Sequence, residues 1–147
     1  VSSEVKEYSS PVVVDAGASA RVGRSTMAAV SGHWAGWSTA NDALSANGGA
    51  RDEMGATAGL EYSGLRLLGK ETPVRLGGRF TQLPFRWGDA ANAFPNEKAI
   101  SAGLGVRLAG RAAQIDAAAE RGWRGGGDSG IDEPYWRLSF SLSVLGR

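Results

Sequence analysis

A chain of 147 residues with 16 basic and 15 acidic side chains carries a formal charge of +1, which gives no electrostatic footprint for nucleic acid. Its length suits one architectural unit, and its lack of cysteine excludes disulfides, thiolate metal sites and cysteine nucleophiles. Glycine accounts for 22 of the 147 residues without recurring every third position, which excludes collagen and disfavours long helices, where each interior glycine costs about 1 kcal/mol. No run of about 18 apolar residues occurs, so no transmembrane helix is expected. A membrane-crossing strand stays open, because its signal is only alternation over roughly ten residues. No charged-then-apolar leader begins at Val1, so a secretory signal is expected to have been removed or to lie upstream.

Residues 1–11 form a polar lead-in, after which seven segments alternate with period two. In the first, Val12–Val22, the residues Val14, Ala16, Ala18, Ala20 and Val22 oppose Asp15, Gly17, Ser19 and Arg21. The second, Thr26–Trp37, sets Ala28, Val30, Gly32 and Trp34 against Ala29, Ser31, His33 and Ala35. In the third, Met54–Leu65, Ala56, Ala58, Leu60 and Tyr62 face away from Thr57, Gly59, Glu61 and Ser63. The fourth, Pro73–Gln82, opposes Val74, Leu76, Gly78 and Phe80 to Arg75, Gly77, Arg79 and Thr81. In the fifth, Lys98–Leu108, Ile100, Ala102, Leu104, Val106 and Leu108 lie opposite Ser101, Gly103, Gly105 and Arg107. The sixth, Ala112–Trp123, places Ala113, Ile115, Ala117 and Ala119 against Gln114, Asp116, Ala118 and Glu120. The seventh, Pro134–Leu145, is the clearest, with Trp136, Leu138, Phe140, Leu142 and Val144 against Tyr135, Arg137, Ser139, Ser141 and Ser143.

Most of these segments are ten to twelve residues long, longer than the usual globular strand and a match to the roughly 9–11 that cross a bilayer at a tilt. None of the apolar positions named above is charged. In a barrel that contrast has a cause, since a lipid-facing Arg or Lys near the midplane costs about 2–4 kcal/mol and a lumen-facing one little. A soluble β-domain with the same alternation turned inside out is the alternative. Connections alternate in step with the strands: residues 38–53, 83–97 and 124–133 are long and polar, whereas residues 23–25, 66–72 and 109–111 are short. Short periplasmic turns and longer extracellular loops are the outer-membrane pattern. Trp34, Trp37, Phe80, Phe85, Trp87, Trp123, Tyr135 and Trp136 all map to the long-loop end, as an interfacial belt would. The expected architecture is an all-β, antiparallel transmembrane β-barrel of which residues 1–147 are the C-terminal portion. Seven strands are odd and an open sheet in lipid would leave unpaired edges, so upstream strands or another chain are expected to close it.

Motifs that imitate enzymes do not hold up. Gly64-Leu-Arg-Leu-Leu-Gly69-Lys70 copies the start of a phosphate-binding loop, but Glu71 replaces the magnesium-binding Ser or Thr and a strand follows where a helix is needed. Gly103 and Gly105 are half of a dinucleotide fingerprint and fit better as space for bulky neighbours. His33 is the only histidine, with no nucleophile elbow near it. Asp116 and Glu120, four apart on one strand face and roughly 13 Å from each other, are too distant for a paired acid and base. With Arg107 and Arg137 on the neighbouring strands they read as an ion-pair network. The candidate lumen-lining residues are Glu61, Arg75, Arg79, Arg107, Asp116, Glu120 and Arg137; no catalytic, cofactor-binding or metal-binding residue is expected.

The run Pro73-Val-Arg-Leu-Gly-Gly-Arg-Phe-Thr-Gln-Leu-Pro-Phe85, then Glu97-Lys-Ala-Ile-Ser-Ala-Gly-Leu-Gly-Val-Arg107 and Ile115-Asp116-Ala-Ala118, resembles the late strands of the outer-membrane long-chain fatty acid and aromatic hydrocarbon transporters. Gly59-Leu-Glu61-Tyr62 and the Met27–Ser38 segment fit as well, so the resemblance runs from about Val12 onward. It implies a fourteen-stranded barrel with an N-terminal plug and lateral release of hydrophobic cargo. The plug and much of the binding pocket belong to an N-terminal half without counterpart here, so no ligand-site residue carries over. The sequence also departs from the usual aromatic barrel ending, closing on Val144-Leu-Gly-Arg147. The expected function is passive uptake of hydrophobic small molecules such as long-chain fatty acids across the bacterial outer membrane, without catalysis or cofactor. Its expected partners are outer-membrane lipid and the cargo, not nucleic acid. A structural or secretion-associated barrel whose loops bind proteins is one alternative, and a soluble ligand-binding β-domain is another.

Overall fold

The computed structural model describes residues 9–40, 49–87, 93–108, 112–126 and 132–144. The first eight residues, the middles of the three long connections, residues 109–111 and the closing residues 145–147 lie outside that set. The chain is all-β, and among the described residues seven strands form one antiparallel sheet. They are β1 (Val13–Arg21), β2 (Thr26–Ala35), β3 (Glu53–Tyr62), β6 (Val74–Gln82), β7 (Asn96–Leu108), β8 (Ala113–Gly125) and β9 (Asp132–Val144), with β4 (Arg66–Leu67) and β5 (Lys70–Glu71) forming a separate small hairpin. Neighbours in the sheet follow chain order, β1-β2-β3-β6-β7-β8-β9, and β1 and β9 are its two edges. No helix among the described residues is long and apolar enough to cross a membrane.

Period-two alternation excludes a one-residue slip, which would send every side chain to the opposite face. The pairings Val30 with Ala58, Leu60 with Leu76, Leu104 with Ala117 and Ala117 with Phe140 keep one face apolar across the sheet. Nothing among the described residues covers that face: Leu138 is 67%, Phe140 78%, Leu142 68% and Val144 71% exposed.

The strand ends differ from expectation. Trp37 leaves β2 for a short 3-10 helix, Trp37–Thr39, and Leu65 falls outside β3. β7, β8 and β9 run to 13 residues each and take in Glu97, Arg124 and Glu133, whose charge suggests loop. The expected short joint at residues 66–72 contains the β4–β5 hairpin, whose central Leu68 and Gly69 both have positive φ, 50° and 75°, as a type I′ turn requires.

The buried alanines gather at the long-loop end, where Ala35, Ala50, Ala93 and Ala99 are enclosed, while Thr72 and Pro73 are buried at the turn end. Arg51 is the clamp: its Nε donates to the carbonyl of Leu83 at 3.0 Å and its Nη2 to those of Pro95 and the Asn96 side chain, both at 3.1 Å. Its guanidinium also lies 4.9 Å from the centre of the Phe94 ring. The Trp37 and Phe85 rings meet edge to face at 5.1 Å, and Ser38 donates through its hydroxyl (2.6 Å) and its amide (3.1 Å) to Asp52. Those two bonds hold the Asp52 carboxyl below its ordinary pKa. The two first long connections are therefore tied to each other above the sheet.

Candidate functional site

The side of the sheet opposite the apolar face carries the charges. Register places Glu61, Arg75, Arg79, Arg107, Asp116, Glu120 and Arg137 on it together: Glu61 pairs with Arg75, Thr57 with Arg79, and Glu120 with Arg137. Two clusters divide them, one towards the turns and one towards the long loops.

At the turn end Arg75 sits between two carboxylates. Its Nε donates to Glu61 on the adjacent β3 at 2.7 Å, and its Nη1 donates to Asp116 on β8, two strands away. Spanning two strands means crossing roughly 9–10 Å, so whatever lies between must be small. Gly105 on β7 is that position: a Cβ there would collide with the Asp116 carboxylate and lie 3.2 Å from Pro73. Gln114 donates to both oxygens of Asp116 at 2.8 and 2.9 Å. Asp116 therefore does not use Arg107, the partner its position suggests. Arg107 points towards the hairpin, donating to Glu71 at 3.1 Å and to Gln114 at 3.3 Å.

The loop-end cluster repeats the same diagonal four residues further along both strands, with Arg79 on β6 reaching Glu120 on β8 at 3.1 Å. Glu120 also accepts from Arg137 at 3.3 Å, the cross-strand pair expected from the sequence. The centre of this cluster is Glu97, which is only 4% exposed. It accepts from Arg124 through one oxygen, at 2.6 and 2.8 Å, and from Arg79 (2.9 Å) and the Tyr135 hydroxyl (3.0 Å) through the other. Every lone pair that burial takes from water is given a charged or hydroxyl donor, the condition under which such a carboxylate stays ionised. On the same face, towards the β1 edge, His33 Nδ1 lies 2.7 Å from Asp15 and its Nε2 3.9 Å from Glu53. These three flank a groove of about 460 Å³ that extends to Arg79.

Sequence reasoning missed Glu97, Arg124 and Tyr135, the middle of the loop-end cluster. Parity alone would have placed Glu97 with Ser101 and Arg107, had the fifth strand been started two residues earlier. Tyr135 lies at the long-loop end as expected and joins this network, and Trp87 packs against Arg124, with the guanidinium carbon 5.7 Å from its ring centre. Of the expected belt, Trp34, Phe80, Trp123 and Trp136 are the aromatics that register places on the apolar face. That face is not free of charge: Lys98 pairs across strands with Phe80 and Trp123, Arg121 with Ile100 and Trp136, and Asp132 shares their parity at the strand end.

Gly122 gives the Tyr135 ring its place, since a Cβ on Gly122 would fall within the ring. Gly122→Val is expected to expel the ring and cost about 2 kcal/mol through the hydroxyl's lost bonds to charged partners, read as a lower urea midpoint with unchanged slope. Comparison with family models, with curated proteins and with solved structures finds no match to this chain.

Proposed function

We propose that this sheet is part of the wall of a bacterial outer-membrane β-barrel, apolar face to lipid and charged face to the lumen, and that the barrel passes hydrophobic small molecules passively. The observation that carries the proposal is the uncovered apolar face, continuous from Val14 and Val30 to Phe140 and Val144, backed by a face of ion pairs. A soluble β-domain would need a second layer over that face, and no described residue lies there. In lipid the same face needs no cover, while the edges β1 and β9 would have to meet further strands, of the same polypeptide or another, to satisfy their backbone groups.

The charged face supports neutral or amphipathic cargo more than selected ions. Arg79, Arg124 and Arg137 are matched by Glu97 and Glu120, with Glu133 in register opposite Arg124, and Arg75 is matched by Glu61 and Asp116. A wall that compensates its own charges leaves little net field to attract one sign of ion. The resemblance of the β6 and β7 segments to fatty acid transporters is what supports long-chain fatty acids and related hydrocarbons as the class of cargo. Neither catalysis nor a cofactor enters this role.

Deleting the gene is expected to lower the initial rate of labelled oleate uptake by intact cells, with restoration by the complete polypeptide. Unchanged uptake alongside a confirmed outer-membrane location would turn the assignment to a scaffold whose loops bind proteins, a role that the Arg51-clamped loop cap would also suit.

A further inference from the structure

The two basic residues on the apolar face occupy one place. Lys98 on β7 is cross-strand neighbour to Phe80 and Trp123, and Arg121 on β8 is cross-strand neighbour to Ile100 and Trp136. They are thus diagonal neighbours on adjacent strands, about 7–8 Å apart at the backbone. The Arg121 guanidinium carbon lies 5.4 Å from the centre of the Trp123 ring and 5.2 Å from that of Trp136. Aromatic contact holds a guanidinium by its face and leaves its N–H edges directed outward. Lys98 is exposed. The nearest carboxylate on this face in the register is Asp132, opposite Gly125 at the strand end.

A cation facing the middle of a bilayer is costly, but near the interface the cost falls to about 0–1 kcal/mol, and tryptophans mark that depth. Towards the turns the face is apolar, continuing through Ala102, Leu104, Leu138 and Phe140. Two adjacent cations framed by aromatics, above an apolar track, match an amphiphile with an anionic head and acyl chains. We propose that Lys98 and Arg121 seat the phosphate of an anionic lipid on the outside of the wall, its chains lying along Leu104, Leu138 and Phe140. This inference rests on the membrane reading above.

The complete polypeptide, purified in zwitterionic detergent and reconstituted into nanodiscs of equal phosphatidylglycerol and phosphatidylcholine, is released and its retained lipid identified by native mass spectrometry. The wild type is expected to retain phosphatidylglycerol selectively, and K98Q/R121Q to lose about 30-fold of that selectivity, the effect of two basic groups at a membrane surface. Heat-modifiable gel mobility confirms that the variant is folded, and Lys70→Gln, which removes a cation from the hairpin, is expected to keep the selectivity. Equal retention of both lipids by the wild type, or equal loss with Lys70→Gln, would overturn the seat while leaving the barrel intact. Failure of the wild type to enter nanodiscs at all would remove the membrane reading and the seat with it.

Discussion

Phe140→Arg is expected to prevent assembly in the membrane, with the chain recovered as a degraded or heat-insensitive species instead of a folded band. Phe140 lies midway along β9, 78% exposed, in line with Leu138 and Leu142 and cross-strand from Ala117. If that face meets lipid, the new guanidinium sits near the bilayer centre at a cost of about 2–4 kcal/mol, a large part of the stability of any domain. Ser139→Arg is the control: one residue away, it faces the charged side opposite Ala118, and it is expected to assemble. Normal assembly of Phe140→Arg would mean that water, not lipid, bathes this face, because an exposed arginine there costs little.

Glu97→Gln is expected to be the most damaging change on the charged face. The carboxylate is the shared acceptor of Arg79, Arg124 and Tyr135 and is almost wholly enclosed. Glutamine keeps the shape and one acceptor but removes the charge, so two guanidiniums are left facing each other in a partly dry site. A loss of about 2–3 kcal/mol is expected, the range for hydrogen bonds to charged groups, measured as a shift of the urea midpoint for the protein refolded in lipid vesicles. Removing Arg124 as well should return part of it, because the second change takes away one of the uncompensated charges. A double-mutant cycle of Glu97→Gln with Arg124→Gln therefore reads the coupling directly, and strict additivity would sink the claim that they form one unit.

The strands and their faces were legible because period two is a property of neighbours in sequence. Trp136 to Val144 alternates without help from any other part of the chain, and so does Ile100 to Leu108. Strand ends were not, because there the composition turns polar on both faces while pairing continues: Glu97 pairs with Thr81 and Arg124, and Arg124 with Glu97 and Glu133. Pairing within the charged face was half legible. Glu120 with Arg137 follows from adjacency, whereas Asp116 takes Arg75 from two strands away, over a glycine, which no local pattern signals. Lys98 and Arg121 share the parity of Ile100 and Ala119 within the fifth and sixth segments but stand where the oily run ends, and only the register shows that they are neighbours.

Alternation leaves one error unpunished. Sliding β7 by two residues against its neighbours would keep every oily side chain among oily ones and every wet one among wet ones, and small residues such as Ala99, Ala102 and Gly103 would pass with little obstruction. The charged face bars that slide, through the diagonal arginines and through Glu97. Arg75 and Arg79 grip Asp116 and Glu120 across β7 with equal four-residue spacing on β6 and β8, and a glycine, here Gly105, must lie under Asp116 for the first grip to close. Moved by two one way, β7 would present Arg107 there; moved the other way it would present Gly103, which also fits, but in both cases Glu97 would leave Arg79, Arg124 and Tyr135. The paired grips thus act as a vernier, reading alignment at a finer scale than hydrophobicity can and selecting one sheet among several that lipid alone would accept.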